Sequence, residues 1–192
     1  MKIDKETSLL YVLWDWFKIF AVAIVIAIFI KTFIVDLTIV KGHSMDNTLA
    51  EDDILFVDKV TNNFCKYDYG DIVVLKSPDI NKNPKKEFYI KRIIGLPGDT
   101  VNISGGSVYV NGEKISEDYI NSDITYKGYG GDEFVLNNDE YFVMGDNRML
   151  NASNDSRNFG AIKGNDLVGR AFFRAYPFKR LGKMNLSTYS KL

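Results

Sequence analysis

Two side chains in this sequence have the chemistry needed for nucleophilic attack with proton transfer. They are Ser44, in Gly42-His43-Ser44-Met45, and Lys91, in Phe88-Tyr89-Ile90-Lys91-Arg92-Ile93-Ile94. A serine hydroxyl becomes a nucleophile only when a base takes its proton. The adjacent His43 is the obvious candidate, but neighbours in an extended chain point to opposite faces, which makes it a surface or spacer residue. Lys91 has two readings. At a sheet edge it projects into solvent. Buried in an apolar strand, its ammonium form is disfavoured, and the neutral amine can serve as base to a serine. Strand alternation puts Tyr89 and Ile93 on its face, which supplies apolar cover.

A third segment is dense in charge and hydroxyl groups. It runs from Tyr141-Phe142-Val143-Met144-Gly145-Asp146-Asn147-Arg148 to Ser153-Asn154-Asp155-Ser156-Arg157-Asn158-Phe159-Gly160. Taken alone it reads as a surface loop held by Asp–Arg pairs. None of the three segments is decisive alone.

The elements that must position these residues are legible from patterning. Residues 19–30 are apolar without a break, and the stretch 16–35 is interrupted only by Lys18, Lys31 and Thr32. Twenty helical residues rise roughly 30 Å, enough to cross a bilayer core. The two lysines sit near the ends, where long side chains can snorkel, and Tyr11, Trp14 and Trp16 precede the span as an interfacial belt would. A core helix would show a polar face, and this stretch has none. A cleaved leader needs small residues after the apolar run, whereas Thr32-Phe33-Ile34-Val35-Asp36 follows here. The expected division is an N-terminal arm at 1–15, a transmembrane anchor at 16–35 and one domain at 36–192. Lys2 and Lys5 are offset by Asp4 and Glu6, so charge orients the span only weakly.

Beyond the span the chain reads as short strands at 35–40, 54–57, 71–75, 88–94, 101–103, 108–110, 114–115, 133–136, 140–144 and 167–176. Hairpin turns are expected at Ser104-Gly105-Gly106 and Asn111-Gly112, and a polar loop at 78–86. An all-β domain follows. Over the whole chain 24 basic and 25 acidic side chains nearly balance, which argues against a nucleic-acid binder. A single cysteine, Cys65, cannot form an internal disulfide. One Cys and one His exclude the usual zinc sets built from those residues.

Taken together and in order, the segments resemble the type I signal peptidases, which are Ser-Lys peptidases. Gly42-His43-Ser44-Met45-Asp46-Asn47-Thr48-Leu49 looks like the nucleophile box. Gly70-Asp71-Ile72-Val73-Val74 looks like the next family strand. Tyr89-Ile90-Lys91-Arg92-Ile93-Ile94-Gly95-Leu96-Pro97-Gly98-Asp99 is similar to the lysine box nearly residue for residue. Gly145-Asp146-Asn147-Arg148 through Asp155-Ser156-Arg157 and Gly160 is similar to the last box, and Gly169-Arg170 and Pro177 to the terminal strand. The resemblance spans about residues 15–182. The short interval between Lys91 and Asp146 resembles the compact members with one anchor.

The resemblance implies a signal-peptidase-like β domain of antiparallel strands on one membrane helix, with the N-terminus cytoplasmic and the domain outside. It implies no cofactor and no metal, and substrates that are secretory preproteins with small residues before the cleavage site. It makes Ser44 the nucleophile, with its own backbone N–H for the oxyanion, and Lys91 the base. Asp146, Asp155 and Arg157 would structure the loop that holds Lys91. Met45, Leu49, Tyr89 and Ile90 are candidate walls of shallow pockets. Three departures stand out. Asn47 occupies the place of the family's usual proline, and Gly42 that of a hydroxyl residue some members use as an oxyanion donor. The Arg148–Asp155 interval is two residues longer than usual, so Ser153 takes the place of the lysine-orienting serine, with Ser156 as rival. Competing readings are a self-cleaving repressor with the same residue pair and a non-catalytic anchored scaffold.

Overall fold

The N-terminal apolar run folds as α1 (Lys5–Phe33), whose stretch Leu10–Phe33 is long and apolar enough to cross a membrane. The apolar side chains of Leu10–Phe33 are exposed around the helix, and none of the described residues buries them. The computed structural model describes residues 5–61, 67–78, 87–184 and 190–191. Cys65, residues 1–4 of the N-terminal arm and 79–86 of the expected polar loop lie outside them. The helix takes in residues 5–15, expected as a separate arm, and stops at Phe33, so Ile34 and Val35 fall outside it. The reason is local: Val35 begins β1, where β-branched residues pair readily with a neighbouring strand. Lys59 clamps the junction. Its backbone N–H donates to the Ile34 carbonyl at 3.0 Å, its Nζ to the Thr32 carbonyl at 3.3 Å, and it pairs with Asp36 at 3.2 Å.

The larger sheet has eight strands. They are β1 (Val35–Ile39), β2 (Ile54–Asp58), β3 (Ile72–Lys76), β4 (Phe88–Gly95), β9 (Glu140–Met144), β10 (Ile162–Lys163), β11 (Leu167–Tyr176) and β12 (Gly182–Lys183). Their order is β1-β2-β11-β3-β4-β9-β10, with β12 paired to β11. A smaller sheet of β5 (Thr100–Ser104), β6 (Ser107–Val110), β7 (Glu113–Ser116), β8 (Glu133–Val135) and β13 (Ser190–Lys191) runs in the order β13-β7-β6-β5-β8. Every described pairing is antiparallel, as an all-β domain of turn-linked strands requires. Both expected hairpins are present, with positive φ at Gly105, Gly106, Asn111 and Gly112. The strands β10, β12 and β13 and a four-residue helix α2 (Ser156–Phe159) were not expected. Such short pieces carry no periodicity to read, and α2 is set up by one local device, the Asp155 carboxylate accepting from the Arg157 N–H.

Three apolar clusters position the functional segments. Ile94, Val101, Val110, Phe142 and Met144 join the small sheet to β4 and β9. Val73, Leu75, Ile93, Val143 and Leu167 fill one side of the larger sheet. Val40, Met45, Leu49, Leu55, Ile72 and Ala171 form the third, with Ile90 packed against it. Met45 and Leu49 are each 1% exposed. Burying each contributes roughly 1.5–3 kcal/mol, which pins the loop carrying Ser44 onto the sheet.

Candidate active site

Residues 42–49 form a run of turns, not a strand. Gly42 enters it at φ +80°, a conformation that side-chain-bearing residues rarely adopt. The Leu49 N–H donates to the Met45 carbonyl at 2.8 Å, closing the loop over its buried apolar pair. A second loop grips it from outside. The Asn147 N–H donates to the Ser44 carbonyl at 3.1 Å, and its Nδ2 to the His43 carbonyl at 2.9 Å. His43 is exposed, with Nδ1 3.2 Å from Asp46 and Nε2 3.8 Å from Glu51. It is occupied away from Ser44, as expected, but the turn and its acidic partners do this, not strand alternation.

Lys91 lies on β4, which is flanked by β3 and β9, so the solvent-edge reading does not apply. The residue is 3% exposed. Its Nζ sits 2.7 Å from Ser44 Oγ, donates to the Ile90 carbonyl at 3.0 Å and lies 5.2 Å from the centroid of the Tyr89 ring. Tyr89 therefore covers Lys91, as the alternation predicts.

The next residue, Arg92, is fully buried and holds Asp146 in a two-pronged pair, Nε to Oδ1 at 2.9 Å and Nη2 to Oδ2 at 2.6 Å. Its guanidinium lies 3.9 Å from the Tyr119 ring centroid and also donates to the Gly70 carbonyl at 2.8 Å. Thr48 Oγ1 donates to Asp146 Oδ2 at 2.5 Å, so one carboxylate ties the nucleophile loop to the lysine strand. Arg148 is equally buried. It donates to the Gly145 carbonyl at 2.8 Å and to Thr125 Oγ1 at 2.9 Å, and pairs with Glu117. Burial works against its charge, but Glu117 outweighs burial and holds its pKa above the ordinary arginine value.

Asp155 anchors the far end of this loop. Burial pushes its carboxyl up, but two bonds from Arg157, at 2.7 and 2.6 Å, and one from the Gly145 N–H at 3.0 Å hold its pKa below the ordinary carboxylate value. Asp146, Asp155 and Arg157 are thus placed to structure the loop. Gly145 sits where chains meet. A Cβ there would lie 2.3 Å from both Ser153 Oγ and the Ser44 carbonyl oxygen, so only glycine fits between them. Ser153 is thereby brought beside the nucleophile loop. Its Oγ is buried near Asp155 but makes no well-formed hydrogen bond. The rival, Ser156, has its hydroxyl committed to the Val143 N–H at 3.0 Å.

A cleft of about 630 Å³ opens over Ser44 and Lys91, lined by residues 38–45, by residues 87–91 and by Asn151, Ala152 and Asn154. Met45, Tyr89 and Ile90 line it. Leu49 does not: it is buried in the cluster beneath, because its role is to hold the loop down. Among the described residues, no group of three or more His, Cys, Asp or Glu could hold a metal ion. Reasoning from the sequence missed Thr48, Arg92, Gly145 and Asn147 as parts of the site. All four lie within the quoted boxes, so box membership was the available signal.

A family model described as signal peptidase, peptidase S26 matches residues 13–176. A signal peptidase I of Bacillus amyloliquefaciens is 37% identical over 192 residues, covering 95% of this chain and 99% of the relative. Signal peptidase I S of Bacillus subtilis strain 168 is 36% identical, covering 95% of this chain and 97% of the relative. A crystal structure of a signal peptidase I from Enterococcus faecalis V583 shares 33% identity, with 55% of this chain and 96% of that one covered at a TM-score of 0.43.

Proposed function

Since the chain belongs to the signal peptidase family, peptidase S26, and is a serine endopeptidase acting on secretory preproteins, we propose that Ser44 and Lys91 form the dyad that cleaves the signal peptide. The observation that carries this reading is the 2.7 Å approach of Lys91 Nζ to Ser44 Oγ, with Lys91 buried. In this reading Lys91 acts in its neutral form, and burial disfavours the competing ammonium. Lys91 takes the Ser44 proton as Oγ bonds to the scissile carbonyl carbon. The oxyanion forms against the Ser44 backbone N–H. Lys91, now protonated, gives that proton to the leaving amine as the peptide C–N bond breaks, and an acyl ester on Ser44 remains. The neutral lysine then takes a proton from water. The hydroxide oxygen attacks the ester, and the proton returns to Ser44 as the signal peptide leaves.

Ser153 is the residue we assign to orient Lys91, because it is brought to the nucleophile loop while the hydroxyl of Ser156 is committed to β9. Met45, Tyr89 and Ile90 wall a shallow cleft suited to small side chains before the bond. We assign α1 as the membrane anchor, with the N-terminus cytoplasmic and residues 36–192 outside. Its exposed apolar surface supports bilayer contact.

The test is preprotein processing by the purified full chain in detergent. Ser44→Ala is expected to abolish cleavage while retaining the fold, and His43→Ala to keep most activity. Substantial processing by Ser44→Ala overturns the dyad. For the anchor, the intact chain is expected to stay with membranes through alkaline extraction, and its release into the soluble fraction overturns that assignment.

A further inference from the structure

The cleft over the dyad is not the end of the concave surface. On the far side of the 151–154 loop lies a second depression of about 130 Å³, and Asn151 lines both. Ser153, beside the Ser44 carbonyl across Gly145, lines the second one. Its walls carry apolar side chains that nothing in the fold requires to be exposed. Tyr129 is 90% exposed, Leu150 65%, Met149 56% and Tyr126 45%. Contiguous exposed apolar side chains beside a reactive centre mark a contact surface.

Both walls are tied down, so the groove is built and not incidental. On one side, Arg157 Nη1 donates to the Tyr126 carbonyl at 3.0 Å, the Gly130 N–H donates to the Arg157 carbonyl at 2.8 Å, and the Tyr129 N–H to Asn158 Oδ1 at 3.2 Å. On the other, the Ala152 N–H donates to the Met149 carbonyl at 3.1 Å and the Met149 N–H to Asn147 Oδ1 at 3.3 Å. Asn147 is the residue that grips Ser44. Met149 and Leu150 stand in this same interval, between Arg148 and Asp155.

Resting on the dyad reading above, we propose that this groove binds the preprotein just after the scissile bond, at the first residues of the mature chain, and favours apolar side chains there. The two long segments lining the first cleft both run into the dyad, at Ser44 and at Lys91, so residues before the bond occupy that cleft. Asn151 borders both depressions, which makes the second one the continuation open to the chain beyond the bond. The groove between Tyr126–Tyr129 and Met149–Leu150 is the surface it meets, and the volume suits one side chain of moderate size.

The test uses full-length enzyme in detergent and synthetic preprotein peptides identical up to the bond. After it, one series carries leucine or phenylalanine in the first three positions and the other only glycine and serine. For the wild type, kcat/KM is expected to favour the apolar series by about tenfold, the lower range for one side chain in a hydrophobic pocket. In Met149→Ser/Leu150→Ser, and separately in Tyr129→Ala, the preference is expected to fall to about twofold, with cleavage of the glycine-serine series unchanged. An unaltered preference in the variants, its absence in the wild type, or an equal loss on both series overturns the proposal. Cleavage of the glycine-serine series by the wild type but not by Ser44→Ala leaves the dyad reading intact whichever way the preference falls, so the two are judged separately.

Discussion

Lys91 Nζ lies 2.7 Å from Ser44 Oγ although the two residues stand 47 positions apart in the chain. Neither residue is held there by its own segment. Ser44 is fixed by Asn147 above and by Met45 and Leu49 below, and Lys91 by a strand hydrogen-bonded on both sides. The proposed chemistry depends on that convergence.

If Lys91 is the base, its neutral form must be present at working pH. Burial disfavours the ammonium form of a lysine. Deprotonation creates the base, so kcat/KM is expected to rise with pH as Lys91 loses its proton and then level off. Lys91→Arg keeps the charge but cannot release a proton, and is expected to lose at least about a hundredfold in kcat while its circular dichroism matches the wild type. An active Lys91→Arg enzyme would remove Lys91 from the role.

Strand alternation alone suggests that Arg92 tolerates replacement by lysine. The structure withdraws that expectation, because Arg92 is fully buried, pairs Asp146 through two nitrogens and stacks on Tyr119. An ammonium reproduces neither the fork nor the stacking. Arg92→Lys is expected to lower stability by roughly 1.5–3 kcal/mol, the worth of a hydrogen bond to a charged group. Chemical denaturation of the full chain in detergent checks this, and a change below a few tenths of a kcal/mol would contradict it.

Asn47 stands where the resemblance leads one to expect proline, and its φ of +90° is one that proline's ring forbids. Its Nδ2 donates to the Tyr119 carbonyl at 2.8 Å and to the Ile120 carbonyl at 3.3 Å, tying the nucleophile loop to the segment after β7. Side-chain bonds here replace ring rigidity. Asn47→Gly keeps the backbone and loses the ties, so kcat is expected to fall severalfold with KM little changed. Asn47→Pro is expected to fall further. Full activity in Asn47→Pro would show that the turn readily adopts another geometry.

Asp155 sets an acid limit on stability. Its folded pKa is depressed by Arg157 and the Gly145 N–H in spite of burial. A depressed carboxyl stabilises the fold above its unfolded pKa, near 3.9, and loses that contribution as pH falls through the folded value. Unfolding free energy of the wild type is therefore expected to drop below about pH 4. Asp155→Asn leaves Arg157 buried without its partner and is expected to cost about 3 kcal/mol at neutral pH, with a flatter acid dependence. Denaturation series at neutral and acid pH distinguish the two, and identical slopes would remove Asp155 as the group responsible.

Much of the fold was readable because its signals are local. An unbroken apolar run specifies α1, β-branched runs specify β1 to β4, and Asn111-Gly112 specifies a hairpin, each through conformational preferences of adjacent residues. The types and order of Ser44, Lys91, Asp146 and Asp155 were readable for the same reason, since each sits in a distinctive short box. The two-residue strands and α2 were not, because a piece that short has no period.

The amino-acid sequence by itself determined which residues carry reactive groups and which segments are strand or span. Only the tertiary structure decided what surrounds them. Lys91 is buried because β4 lies between two other strands; Leu49 is core and not wall because it belongs to the buried cluster that includes Leu55 and Ala171; Ser153 and not Ser156 reaches the nucleophile loop because Gly145 lets the chains touch. These outcomes rest on contacts between residues far apart in the chain, such as the 104 positions that separate His43 from Asn147. Burial and hydrogen bonding are set by what the fold brings alongside a residue, and no local pattern of side chains records that.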